Sequence, residues 1–120
     1  MRFMLMAMAT KESEAGVLPK PEAFEEMQKY NEELVKAGIL LAAEGLAATS
    51  KGARVKFSGD KRIVIDGPFT ETKEIVAGFS IIQVKSLEEA IEWSKRFRNI
   101  VGDGESEIVQ LFGPDDFGPA

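Results

Sequence analysis

Residues 2–9 constrain the fold more than any other stretch. After Arg2 the chain runs Phe3-Met4-Leu5-Met6-Ala7-Met8-Ala9, apolar at every position. Side chains alternate across a strand, so Phe3, Leu5 and Ala7 take one face and Met4, Met6 and Met8 the other. A strand apolar on both faces is one that is covered on both faces. The run is far shorter than the roughly 20 apolar residues a membrane helix needs. Thr10-Lys11-Glu12-Ser13-Glu14 follows it instead of a small-residue cleavage site. It is therefore read as the first strand of a cytoplasmic protein, not as a leader.

The remaining periodicities suggest one domain over residues 1–112 with a tail at 113–120. Residues 10–20, with Gly16 and Pro19, read as a loop. Pro21 suits the first turn of a helix, where its missing N–H costs nothing. Phe24, Met27, Leu34 and Val35 form a helical stripe with Tyr30 and Asn31 at its edge, and Gly38 stops it. Ile39–Ala43 reads as a second strand, followed by Glu44-Gly45-Leu46. Arg54–Ser58 and Arg62–Ile65 flank Gly59-Asp60, which predicts a hairpin with one apolar and one basic face. A strand over 75–85 contains Phe79, Ile81 and Ile82. Ser86-Leu87-Glu88-Glu89 is a capping box opening a helix with Leu87, Ala90, Ile91, Ser94 and Phe97 on one stripe. Gly102-Asp103-Gly104 ends that segment, and Ile108–Phe112 is a last strand.

The order is strand, helix, strand, inserted hairpin, strand, helix, strand. This is an α+β, ferredoxin-like double βαβ pattern with an antiparallel sheet and both helices on one face. Two helices of about 12–17 residues cannot wrap both faces of the sheet. The remaining apolar face is expected to meet the same face of a second chain, making a homodimer through sheet faces.

Charge and missing residue types exclude several functions. Fifteen Lys and Arg against twenty Asp and Glu give a net charge of -5, the wrong balance for a nucleic-acid binder. The chain has no His and no Cys. That removes disulfides, thiolate nucleophiles, imidazole acid–base catalysis, Cys or Cys/His zinc sites and His or Cys haem ligands. The glycines form neither G-x-G-x-x-G nor a P-loop. No metal and no cofactor is implied.

Asp66-Gly67-Pro68-Phe69-Thr70-Glu71-Thr72-Lys73-Glu74 resembles the D-G-P-F-x-E-x-K-E signature of the DGPF branch of the YCII-related family. Tyr30 to Gly38, Gly52-Ala53-Arg54-Val55, Gly78-Phe79 and Val84 to Ala90 are similar to that family's first helix end, hairpin, later strand and second helix start. The resemblance covers roughly residues 1–112 and implies a dimeric α+β barrel. Some bacterial members are encoded near extracytoplasmic-function sigma factors, which implies a regulatory or accessory role. The YCII branch carries a proposed His-Asp pair, with its His on the first helix. Here Met27 to Asn31 occupies that stretch, and Asn99-Ile100-Val101-Gly102 stands where the Asp segment would be. The pair, and the dehydrochlorinase-type chemistry related to it, carry over to no residue of this chain.

Six polar residues are candidate ligand-binding groups. Asp66, Lys73 and Glu74 can form the mouth of a pocket, the lysine binding an anion or acting as a base. Against this, Asp-Gly-Pro is ordinary turn chemistry, and Phe69 would plug the core. Glu44 ends a strand, where it can face a cavity or lie exposed. Tyr30 and Asn31 flank the helical stripe, where a tyrosine can donate a proton or simply pack. Lys51, Arg54, Lys56, Lys61 and Arg62 gather on the hairpin, as an anion patch or as charge that keeps an edge soluble. Trp93 lies off its helix stripe, as an oligomer contact or as packing. Two functional readings follow. One is a small-molecule-binding barrel, catalytic or not, with a Met- and Phe-lined pocket between sheet and helix. The other is a non-catalytic regulatory or accessory protein.

Overall fold

The computed structural model describes residues 1–118. Pro119 and Ala120, the end of the expected tail, lie outside the described residues. The chain forms β1 (Arg2–Met8), α1 (Lys11–Glu14), α2 (Pro21–Lys36), β2 (Leu40–Gly45), β3 (Ala53–Ser58), β4 (Lys61–Asp66), β5 (Val76–Gln83), α3 (Leu87–Val101) and β6 (Ser106–Gln110). Short 3-10 turns span Thr49–Lys51, Thr72–Glu74 and Pro114–Phe117. Four strands form one sheet in the order β2-β5-β1-β6, with antiparallel neighbours throughout. This is the ferredoxin-like α+β order expected from the periodicities. The β3–β4 hairpin is a separate two-stranded sheet.

The core sits between the sheet and the helices. Phe3, Leu5, Ile82, Val84 and Ala90 form its buried cluster, with Ile39, Leu40, Trp93 and Ile108 packed against it. Phe3 pairs with Ile82 and Leu5 with Ile108, so one face of three adjacent strands meets the helices. Leu34 of α2 is fully buried and Tyr30 nearly so. The apolar stripe of α2 is narrower than its sequence suggests, because Phe24 and Val35 are exposed. A rotation of 100° per residue carries Val35 away from the face that Leu34 buries.

Several boundaries differ from expectation. Residues 10–20 contain a helical turn, not only loop. Thr10 Oγ1 accepts from the Ser13 amide at 3.1 Å and Ser13 Oγ accepts from the Thr10 amide at 2.9 Å, a reciprocal cap. At α3, Ser86 Oγ accepts from the Glu89 amide, but the Glu89 carboxylate accepts from the Lys85 amide, so the expected box is only half formed. The second strand extends through Glu44 and Gly45, which pair with Phe79 and Gly78. The last strand begins at Ser106 and ends at Gln110, because β1 pairs with it from Ala7 to Phe3. The tail includes a 3-10 turn with the Phe112 and Phe117 rings 5.3 Å apart.

The hairpin also corrects its expected pattern. Val55 faces Val64 and Phe57 faces Arg62, while Arg54 faces Ile65 and Lys56 faces Ile63. Opposed residues share a face, so each face mixes apolar and basic side chains. The molecule is a slab of 48 × 47 × 18 Å. Its radius of gyration is 16.5 Å, against roughly 13.6 Å for a compact chain of this length.

Candidate functional site

The Asp66–Glu74 segment works first as a clamp on the hairpin base. Gly67 donates to the Gly52 carbonyl at 3.0 Å, closing the two ends of the hairpin. The Phe69 amide donates to Thr49 Oγ1 at 3.0 Å. Glu14 reaches over from α1, accepting from the Thr49 amide at 3.0 Å and from the Thr49 hydroxyl. Arg54 stacks on the Phe69 ring at 4.2 Å. A Cβ on Gly67 would lie 1.6 Å from the Thr49 carbonyl oxygen, so only glycine permits this approach. The Gly67–Pro68 peptide is cis. Glu14 and Thr49 were not singled out by their sequence context. The one local hint is the Thr10…Ser13 cap, which fixes the helical turn that aims Glu14.

The structure separates the six candidates. Glu44, Lys73 and Glu74 lie at one end of the four-stranded sheet, where β2 ends and β5 begins, and Asp66 lies at the base of the separate hairpin; all four are exposed. Asp66 pairs with Ala53 in the hairpin, and Lys73 and Glu74 form the turn before β5. Tyr30 and Asn31 lie on α2, in the helix layer. The Tyr30 hydroxyl donates to the Trp93 carbonyl at 2.9 Å, and its ring contacts Trp93 edge-on and Phe97 at a tilt. Burial pushes the Tyr30 hydroxyl up to about 12. Next to it, Arg96 holds Glu33 in a bidentate pair and lies 4.7 Å over the Trp93 ring. The hydrogen bonds from Arg96 keep the Glu33 carboxyl below its usual range. Trp93 is thus half-buried at the junction of α2 and α3.

Among the described residues no helix or strand layer covers the opposite face of the sheet. Register places Met4, Ile81, Ala42 and Val109 in one row across it, and Met6, Phe79, Glu44 and Glu107 in the next. Val109 is 53% exposed, unusual for a strand valine inside a folded core. Two open grooves mark the surface elsewhere. One, of about 470 Å³, runs between α3 and β6 past Ser94, Arg98 and Ser106. The other, of about 450 Å³, lies beside Ile39, Val84 and Glu89. Neither includes any of the six candidates. Arg98 is engaged structurally, donating to the Gly102, Asp103 and Glu105 carbonyls and to Ser106 Oγ. Among the described residues no His, Cys, Asp or Glu cluster is placed to hold a metal ion, and no helix is long and apolar enough to cross a membrane.

Comparison with known proteins agrees with this architecture. The chain is 35% identical over 85 residues to an uncharacterised protein of Rhizobium meliloti (strain 1021), covering 68% of each. It superposes on 5-chloro-2-hydroxyhydroquinone dehydrochlorinase from Burkholderia phenoliruptrix AC1100, solved with 2,5-dihydroxybenzoquinone, with a TM-score of 0.53. That alignment covers 97% of this chain and 98% of the other at 13% identity, a likeness of fold. The family model of the YCII-related domain matches residues 1–112, and the chain belongs to that family.

Proposed function

We propose that two copies pack their open sheet faces together and that the space enclosed between them binds a small organic molecule. The observation that carries this reading is the open sheet face, where Met4, Met6, Phe79 and Ile81 are half-buried and Val109 is exposed, flanked by Glu44 and Glu107. The accessible surface of the chain is 8781 Å². A compact monomer of this length exposes roughly 6,400 Å². The excess of roughly 2,400 Å², to which the exposed hairpin and Phe112–Phe117 also contribute, exceeds the roughly 800 Å² per partner of a standard interface. Methionine and phenylalanine walls suit a flat, adaptable apolar site, and carboxylates at its edges suit hydroxyl or cationic groups. This moves the expected pocket from the sheet–helix layer to the sheet–sheet layer. Glu44 stays at its rim, with Lys73 and Glu74 at the same end of the sheet. Asp66 then serves the hairpin, and Tyr30 and Asn31 serve the helix layer.

The dehydrochlorinase that shares the fold was solved with a dihydroxybenzoquinone, which makes that class of ligand the first probe. The test is a thermal-shift and calorimetric screen of dihydroxybenzoquinone and hydroquinones. Binding that is lost on Phe79→Ala or Met6→Ala supports the reading. Binding unchanged by either substitution, or no binding across the panel, argues for the second reading. That reading is a non-catalytic accessory protein, favoured by the absence of any imidazole or thiol and by the structural use of Gly67 and Phe69.

A further inference from the structure

We propose that the β3–β4 hairpin is a clasp that docks on a second copy of this chain, against the acidic N-terminal end of that copy's β6. The proposal rests on the sheet-face dimer above. Every residue of both hairpin strands is exposed, with Val55, Phe57 and Val64 each about two-thirds exposed. A two-stranded hairpin with nothing packed on it is marginal in water. Its base is nonetheless fixed by the Gly67–Gly52 and Glu14–Thr49–Phe69 bonds. A firmly based arm with exposed Val55 and Val64, and with a Phe57 ring covered on one side only by Arg62 at 4.0 Å, is placed to meet a surface.

Charge identifies that surface. Residues 51–66 carry five Lys and Arg against two Asp, a net +3 within a chain of net -5, so the remainder carries -8. Residues 99–120 contain five acidic residues and no basic one. Three of these, Asp103, Glu105 and Glu107, are exposed at the start of β6. Among the described residues the ion pairs are Lys95–Glu92 and Arg96–Glu33, so the arm and the β6 acids are not paired within the chain.

Topology makes the two meet. The arm leaves the sheet where β2 ends and β5 begins, at the end where β6 starts, but on the opposite edge. Two sheets stacked about a twofold axis along the strands place β2 of one copy over β6 of the other with ends matched. The arm then lies by Asp103, Glu105 and Glu107 of a second copy. An axis across the strands would instead place it at the start of β2, beside Lys36 and Lys85. The first arrangement opposes the basic arm to acidic residues alone, whereas at the start of β2 it meets Lys36 and Lys85 together with Glu89, a mixed surface. The first also brings Glu44 of one copy to the rim that holds Glu107 of the other, and arm lysines there offset the doubled negative charge.

Sedimentation equilibrium on the full-length chain tests this with Lys56→Glu/Lys61→Glu and Glu105→Lys/Glu107→Lys. Among the described residues none of these side chains makes an ion pair, and circular dichroism checks that each variant is folded. Each double variant alone should weaken the dimer tenfold or more at low salt. An equimolar mixture of the two should restore it, since both clasps of the mixed dimer then pair opposite charges. Unchanged dimerisation of each double variant on its own overturns the clasp while leaving the sheet-face dimer standing. Weakening without rescue in the mixture overturns the β6 assignment. A wild-type chain that is monomeric overturns the sheet-face reading and the clasp together.

Discussion

Gly67→Ala tests whether the Asp66–Glu74 segment is a structural clamp. The added Cβ would sit 1.6 Å from the Thr49 carbonyl oxygen and 2.5 Å from its carbonyl carbon. Carbon and oxygen not bonded to one another stay roughly 3.3 Å apart. The two backbone segments must therefore separate by more than an ångström, since neither obstructing atom belongs to a flexible side chain. That separation breaks the 3.0 Å bond from Gly67 to Gly52 and loosens the 3.0 Å bonds that Thr49 shares with Phe69 and Glu14. The broken neutral bond costs about 1 kcal/mol, and loosening rather than losing the neutral bond to Phe69 and the stronger one to the Glu14 carboxylate adds about 2, so the loss is about 3 kcal/mol. For a domain of this size that lowers Tm by roughly 10 °C. Urea denaturation and thermal melting at fixed protein concentration read it directly. Gly45→Ala is the control, because its added Cβ meets nothing within 4 Å, and it should stay within about 0.5 kcal/mol of wild type. A Gly67→Ala protein that melts with wild type would refute the clamp.

Three further outcomes follow from the same contacts. Thr49→Val keeps the side-chain volume but removes the hydroxyl between Glu14 and Phe69, so urea denaturation should show a loss of about 1–2 kcal/mol. Tyr30 is the single tyrosine, so an absorbance titration reads it alone and should give a tyrosinate midpoint near 12 in the folded protein. Between the unfolded value of 10.0 and about 12 the folded chain keeps a proton that the unfolded chain loses. Stability from this group is therefore complete below pH 10 and declines above it, and Tyr30→Phe should abolish that part of the decline. Ile82→Ala empties a fully buried position in the sheet–helix core and should cost about 3 kcal/mol in the same denaturation assay.

Local patterns made the frame legible. The alternation through Phe3 to Met8 foretold a strand with two apolar faces, and its register indeed sends Phe3 and Leu5 to the helices and Met4 and Met6 to the open side. Pro21, Gly38 and Gly102 marked helix ends as their backbone chemistry requires. The hairpin was legible as a turn but not in register, because alternation within each strand does not fix which residues oppose. The clamp was not legible at all. It joins Glu14, Thr49 and Gly67, which are far apart in sequence and share no periodic pattern. Tyr30 stood at the edge of an apolar stripe, and only the position of the Trp93 carbonyl decides that its hydroxyl is engaged in packing.

In the proposed arrangement this chain is half of a unit closed by its open sheet face. Sedimentation equilibrium of the wild-type chain at micromolar concentration, beside Met6→Glu, tests it most directly. Wild type should show twice the chain mass and Met6→Glu a folded monomer, because the substitution places a charge in the middle of that face. A wild-type monomer, or a Met6→Glu dimer as tight as wild type, would contradict it.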